Sequence, residues 1–179
     1  MKQETKEKLT ASLADFRLPR YHEIPNVGLY LDQVSKYISE YLAPLGDYGL
    51  TNSMISNYVK KGLIANPVKK QYNREQIAYL FFIAVAKTVL SLDALTGFIQ
   101  LQKRTYPLEV AYDFFCRQLE GVLGFTFEMS DTMELQDPEY TLDSECVGAR
   151  RLLYSCIVAV TQKVYLEKGL EAIASETKE

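Results

Sequence analysis

The segment Asn73–Leu90, NREQIAYLFFIAVAKTVL, constrains the fold more than any other part of the chain. It opens with Asn73 and carries Gln76 three residues on, a capping-box pattern in which two side chains satisfy free backbone amides of the first turn. Beyond the cap, the run is apolar on most sides. A helix apolar all round has no face to offer water, so other helices must enclose it. It is not a membrane span, because Lys87 interrupts the run short of the roughly 20 apolar residues a bilayer requires. The fold is therefore expected to be a helical assembly with this segment at its centre.

The rest of the sequence supplies the enclosing helices. Lys6–Leu18 spaces Leu9, Leu13 and Phe16 as a short amphipathic helix, and Pro19–Gly28, with two prolines and a glycine, reads as a loop or extended arm. Leu31, Val34, Ile38 and Leu42 form the next helical stripe, which Pro44 and Gly46 end. After a turn at Asp47–Thr51, Thr51 is a natural N-cap for a helix burying Met54, Ile55 and Val59. Gly62 is the expected left-handed C-cap. Leu63–Asn73 is too short and turn-rich for a helix, and Pro67 disfavours helical geometry at Asn66, so a small hairpin or wing is expected. Ser91–Gln102 reads as a capped helix, and Pro107 suits the first position of another that runs to about Leu123. Leu142, Cys146, Ala149, Leu153, Cys156 and Val160 then recur at heptad spacing, with Leu152, Ile157 and Val158 widening the stripe into that of a bundle or dimer core. The tail after about Ile173 is expected to fray.

Composition narrows the function classes. A chain of 179 residues with 47% hydrophobic content can bury a sizeable core without staples. Its three cysteines, Cys116, Cys146 and Cys156, lack the paired spacing of a zinc or redox site and read as reduced core thiols in a cytoplasmic, soluble protein. No cofactor or metal is expected. The only histidine, His22, sits in a loop, and no glycine-rich phosphate loop, nucleophile elbow or metal-spaced cluster occurs. The chain is not expected to be an enzyme.

Charge is more informative than the net value of −3. Between Tyr48 and Arg74 stand Lys60, Lys61, Lys69, Lys70 and Arg74 with no acid. Between Gln118 and Ala149 stand Glu120, Glu128, Asp131, Glu134, Asp137, Glu139, Asp143 and Glu145 with no base. The acidic stretch reads as a solvated connector or a surface that repels nucleic acid. The basic stretch has the order helix, turn, capped helix, wing, helix, which is that of a winged helix-turn-helix. Thr51, Asn52, Ser53, Ser56, Asn57 and Lys60 present donors and acceptors opposite the apolar side of the short helix, as major-groove reading needs. Lys61, Lys69, Lys70 and Arg74 would hold phosphates, which position a protein without reading sequence.

The residues "ISNYVKKGLI", then "P…KKQYNREQIAYLFFI" and "TVLSLDAL", resemble the DNA-binding half of MerR-type regulators. The longer stretch from "LPRYHEIPNVGLYLDQV" through "LSLDALTGF", about Leu18–Gln102, resembles a bacterial family known as domain of unknown function 1836. The MerR resemblance implies a MerR-like winged helix-turn-helix; with the heptad-spaced final helix, the expected fold is all-α, that domain followed by a helical C-terminal bundle. The resemblance puts Tyr58 where that superfamily places a backbone-contacting tyrosine, though the same side chain can equally face the core or cover Gly62. It puts Lys60 and Lys61 at the superfamily's basic pair, and Lys70 and Tyr72 at the basic-x-Tyr of the wing. Two departures stand out: Ser56 replaces an arginine common there, and the Leu42–Thr51 connection is longer than the usual turn.

Three parts are thus expected: an N-terminal helix and arm (1–28), the winged helix-turn-helix (29–104) and a helical dimerisation or effector region (105–179). The expected partners are double-stranded DNA, a second copy of the chain and a small-molecule effector. The effector would sit among Phe114, Phe115, Phe125, Phe127 and Tyr154, aromatics that serve equally as core and dimer interface. The other function open to the sequence is that of a helical protein–protein adaptor reusing the fold.

Overall fold

The computed structural model describes residues 3–130 and 144–176. Those residues form seven α-helices and one two-stranded sheet. In chain order they are α1 (Gln3–Ala11), β1 (Leu29–Tyr30), α2 (Leu31–Leu42), α3 (Asn52–Lys60), β2 (Gln71–Tyr72), α4 (Arg74–Ala86), α5 (Leu92–Thr105), α6 (Leu108–Thr126) and α7 (Ser144–Glu176). The expected all-helical class holds, and none of these helices is long and apolar enough to cross a membrane.

Helix α4 is the centre, as its composition requires. Asn73 Oδ1 accepts from the Gln76 amide and Gln76 Oε1 from the Asn73 amide, so the capping box is closed. Ile77, Leu80, Phe81, Ile83 and Ala84 beyond it are all fully buried. Helices α2, α6 and α7 enclose it. Phe81 lies edge-on to Tyr37 and Tyr41 of α2 and tilted against Tyr112 of α6, an aromatic cluster that ties three helices together. The buried apolar side chains form one continuous cluster from Leu9 in α1 to Val164 in α7.

The expected caps are in place: Thr51 Oγ1 accepts from the Met54 amide and Ser91 Oγ from the Ala94 amide. Gly62 has φ 75°, and the Leu63 amide reaches back to the Tyr58 carbonyl at 3.0 Å, closing the end of α3. The boundaries shift elsewhere. Pro107 is the N-cap of α6 rather than its first residue, helix α1 stops at Ala11, and α7 stays helical to Glu176 instead of fraying after Ile173. Leu142 lies outside the described residues.

The arm is pinned to α6. Arg20 makes a two-pronged ion pair with Glu120 at 2.7 and 2.6 Å, and Glu120 also accepts the Leu18 amide. The Tyr21 amide donates to Asp113, and His22 Nε2 lies 2.7 Å from Glu109. The arm therefore packs rather than reaching outward, and Glu120, at one end of the acidic stretch, is a docking residue. Glu145, near the other end, pairs with Arg104. Asp131, Glu134, Asp137, Glu139 and Asp143 lie outside the described residues.

Candidate nucleic-acid interface

Helix α3 buries Ile55 and Tyr58 against the core, while Met54 stays 40% exposed, so Tyr58 takes the inward position expected of Met54. This leaves Ser53, Ser56, Asn57 and Lys60 together on the opposite, solvent-facing side, as the 3.6-residue period dictates. Lys61 comes next at the C-cap, and its exposed side chain stands at the end of the same helix.

From Gly62 the chain dips inward at Leu63 and Ile64, both buried, and comes out again in a tight hairpin. Val68 and Gln71 exchange two backbone hydrogen bonds, at 3.1 and 2.9 Å, and Lys69 and Lys70 form the two-residue turn. Both lysines have left-handed backbones, φ 50° and 65°. Asn and Gly normally fill such a turn, because a Cβ in this conformation meets the following carbonyl. Here the turn presents two exposed ammonium groups instead. The strand that braces it is distant in sequence: β1 pairs antiparallel with β2, Leu29 opposite Tyr72 and Tyr30 opposite Gln71. Gly28 also passes close to Gln71, where a Cβ would fall 2.7 Å from that side chain. From below, Gln76 Nε2 holds the Ala65 carbonyl at 2.8 Å. The small sheet is thus shared between the end of the arm and the Val68–Tyr72 hairpin.

Not every expected site residue faces outward. Tyr58 and Tyr72 are buried, at 7% and 4% exposure, so each offers a partner only a small part of its surface. Burial raises the pKa of both phenols. Asn52 donates its side-chain amide to Asp32 at the start of α2, and the Thr51 hydroxyl oxygen is occupied as a cap. Arg74 is tied to the arm: its Nε donates to the Ile24 carbonyl at 2.8 Å, an Nη to the His22 carbonyl, and the guanidinium lies over the Tyr21 ring. Lys60, Lys61, Lys69 and Lys70 make no ion pair with any described residue. The surface that remains is Ser53, Ser56 and Asn57 with those four lysines. Sequence reasoning missed Tyr30 and Val68, exposed at 53% and 74% on either side of Gln71; the alternation of β1 and the lone Val68 carry too little signal.

Among the described residues the expected effector aromatics stand in different surroundings. Phe115 lines a cleft of about 50 Å³ with Phe82 and Phe98, and Phe114 lines a neighbouring one of about 40 Å³. Tyr154 lines neither. Phe125 is 49% exposed, and Phe127 is buried at the far end of α6 with its ring 5.3 Å from that of Tyr165. Among the described residues no group of three or more His, Cys, Asp or Glu side chains could hold a metal ion.

The family model for "Domain of unknown function (DUF1836)" matches residues 19–115. The chain belongs to this family. No curated protein and no solved structure matches it. The DUF1836 span takes in the arm, the two-stranded sheet and α2 to α5. It runs on past Gln102 into α6, and so includes Glu109 and Asp113, which hold the arm in place.

Proposed function

We propose that this chain is a DNA-binding transcriptional regulator built on a MerR-like winged helix-turn-helix. Helix α3 enters the major groove with Ser53, Ser56 and Asn57, and the Lys69–Lys70 turn lies on the phosphates. The observation that carries this reading is the set of four lysines unpaired by described residues, two at the end of α3 and two at the tip of the hairpin, on a chain whose net charge is −3. Lysines left without acidic partners in an acidic protein suit a polyanion, because each phosphate contact releases condensed counterions. Asn57 is the best candidate for base reading, since its amide can pair with two atoms of an adenine edge. The Asp32–Asn52 contact fixes the start of α3 relative to α2 and takes Asn52 out of base reading.

A fluorescence-anisotropy titration of mixed-sequence duplex at two salt concentrations tests the reading. Four phosphate contacts per copy predict a log–log salt slope of roughly −3.6, so affinity should fall about 100-fold between roughly 50 and 200 mM salt. Absence of binding at low salt, or binding indifferent to salt, would overturn it. A second reading, an adaptor for an acidic protein partner, is favoured by one observation. Tyr30, Met54 and Val68 add exposed apolar area beside the lysines, more than a phosphate-binding surface needs.

A further inference from the structure

Helix α7 carries two apolar stripes, and the fold uses one. Ala149, Leu153, Cys156, Val160 and Val164 face the chain's own core. Leu152, Leu166, Leu170 and Ile173 remain 55%, 61%, 66% and 44% exposed, with exposed Ala159 between them. Leu152, Ala159, Leu166 and Ile173 recur every seven residues and Leu170 completes the seam, so these side chains lie along one line on the flank of the helix away from the core. The line is about 30 Å long at 1.5 Å rise per residue. It accounts for four of the chain's nine large apolar side chains that stand exposed among the described residues. Water-facing leucines at that spacing and density mark an association surface, not scatter.

We infer that this outer stripe is a self-association surface on which α7 packs against α7 of a second copy, antiparallel, with the two-fold axis near Gln162 and Lys163. Size and charge both select this arrangement. An antiparallel register about that axis sets Leu152 against the partner's Ile173 and small Ala159 against the partner's Leu166, so a leucine fills the space left at each alanine. Exposed Arg151, beside Leu152, then faces the partner's final turn, which holds Glu176. A parallel pair would instead set Arg151 toward its own copy and the Glu176 turns toward each other, placing like charges together, which is unfavourable. Lys163 is held by Glu167 of its own chain, which shields it at the centre. The inference does not depend on nucleic-acid binding.

Sedimentation analysis of the full chain at micromolar concentration tests it together with directed cross-linking. The wild type should sediment as a dimer. Leu166→Glu with Leu170→Glu should give a monomer with the same far-ultraviolet circular dichroism, because both side chains stand outside the core. In a Cys146→Ser background, Leu152→Cys and Ile173→Cys chains should cross-link when mixed and form little homodimer separately. A monomeric wild type, a dimer insensitive to the Leu166 and Leu170 changes, or Leu152→Cys chains that cross-link to each other would each overturn the inference.

Discussion

Lys69 and Lys70 hold a backbone conformation that costs about 1–2 kcal/mol for a residue bearing a Cβ. Nothing in their packing offsets that cost, since both side chains are exposed. Strain kept without local compensation points to a role for the side chains themselves. Lys69→Asn with Lys70→Gly should therefore raise stability by about 1 kcal/mol in urea unfolding. The same variant should bind duplex more weakly, with a salt slope shallower by about 2. Loss of stability, or an unchanged slope, would separate the turn from the proposed role. The thiols give a second test at this scale. Burial pushes Cys116 up to about 12 and Cys156 up to about 11, whereas an unfolded chain titrates its thiols near about 8.5. Their folded pKa values are raised, so the stability they confer is whole below about pH 8.5 and lost as pH climbs toward the folded values. Tyr37 and Tyr112, also raised by burial, act in the same sense; Lys87, lowered by burial, acts in the opposite one. The urea midpoint should fall between about pH 8 and pH 10.5. Native protein should alkylate at Cys146 well before the other two thiols.

At the scale of elements, the caps were legible because they are local. Thr51, Asn73 and Ser91 each close a first turn through residues no more than three positions away. Thr51→Ala should cost about 1 kcal/mol in urea unfolding and weaken duplex binding by fraying the start of α3. Gly62→Ala isolates the backbone contribution, because a Cβ there would meet nothing within 4 Å while φ stays at 75°. It should cost about 1 kcal/mol, and a smaller loss would mean that the end of α3 rearranges freely. What the sequence hid is relational. The exchange of Met54 for Tyr58 depends on the direction from which the core approaches α3, which periodicity over nine residues does not fix. Strand β1 has a partner some forty residues on, and two residues carry no alternation to read. The hairpin turn lacks the Asn or Gly that announces one, so its lysines looked like plain basic residues. Arg74 looked like a phosphate ligand because its sequence neighbours are lysines, yet carbonyls of the arm claim it.

The whole molecule is a bundle in which the arm and α6 steady the element that carries the lysines. Arg20 and Glu120 are each about one-fifth exposed, so cutting one partner leaves a partly desolvated charge behind. Arg20→Met should cost roughly 1–3 kcal/mol, and thermal melts should show it as a lower midpoint, with the arm more open to protease. The heptad on α7 illustrates how far sequence reaches at this scale. Its spacing identified a long packed helix, but only the assembled fold shows that Leu153, Cys156 and Val160 face inward and Leu166, Leu170 and Ile173 do not. The aromatics make the same point: Phe114, Phe115, Phe125 and Phe127 lie close in sequence, yet the fold turns them toward different neighbours. The segregation of positive charge survives folding as four lysines that no described acid neutralises. Anisotropy of a labelled duplex at about 50 mM salt, read for the wild type and for Lys60→Glu with Lys61→Glu, tests that feature most directly. The wild type is predicted to bind and the variant to lose binding with its helicity intact. A variant that binds as well as the wild type would contradict the assignment of this surface to DNA.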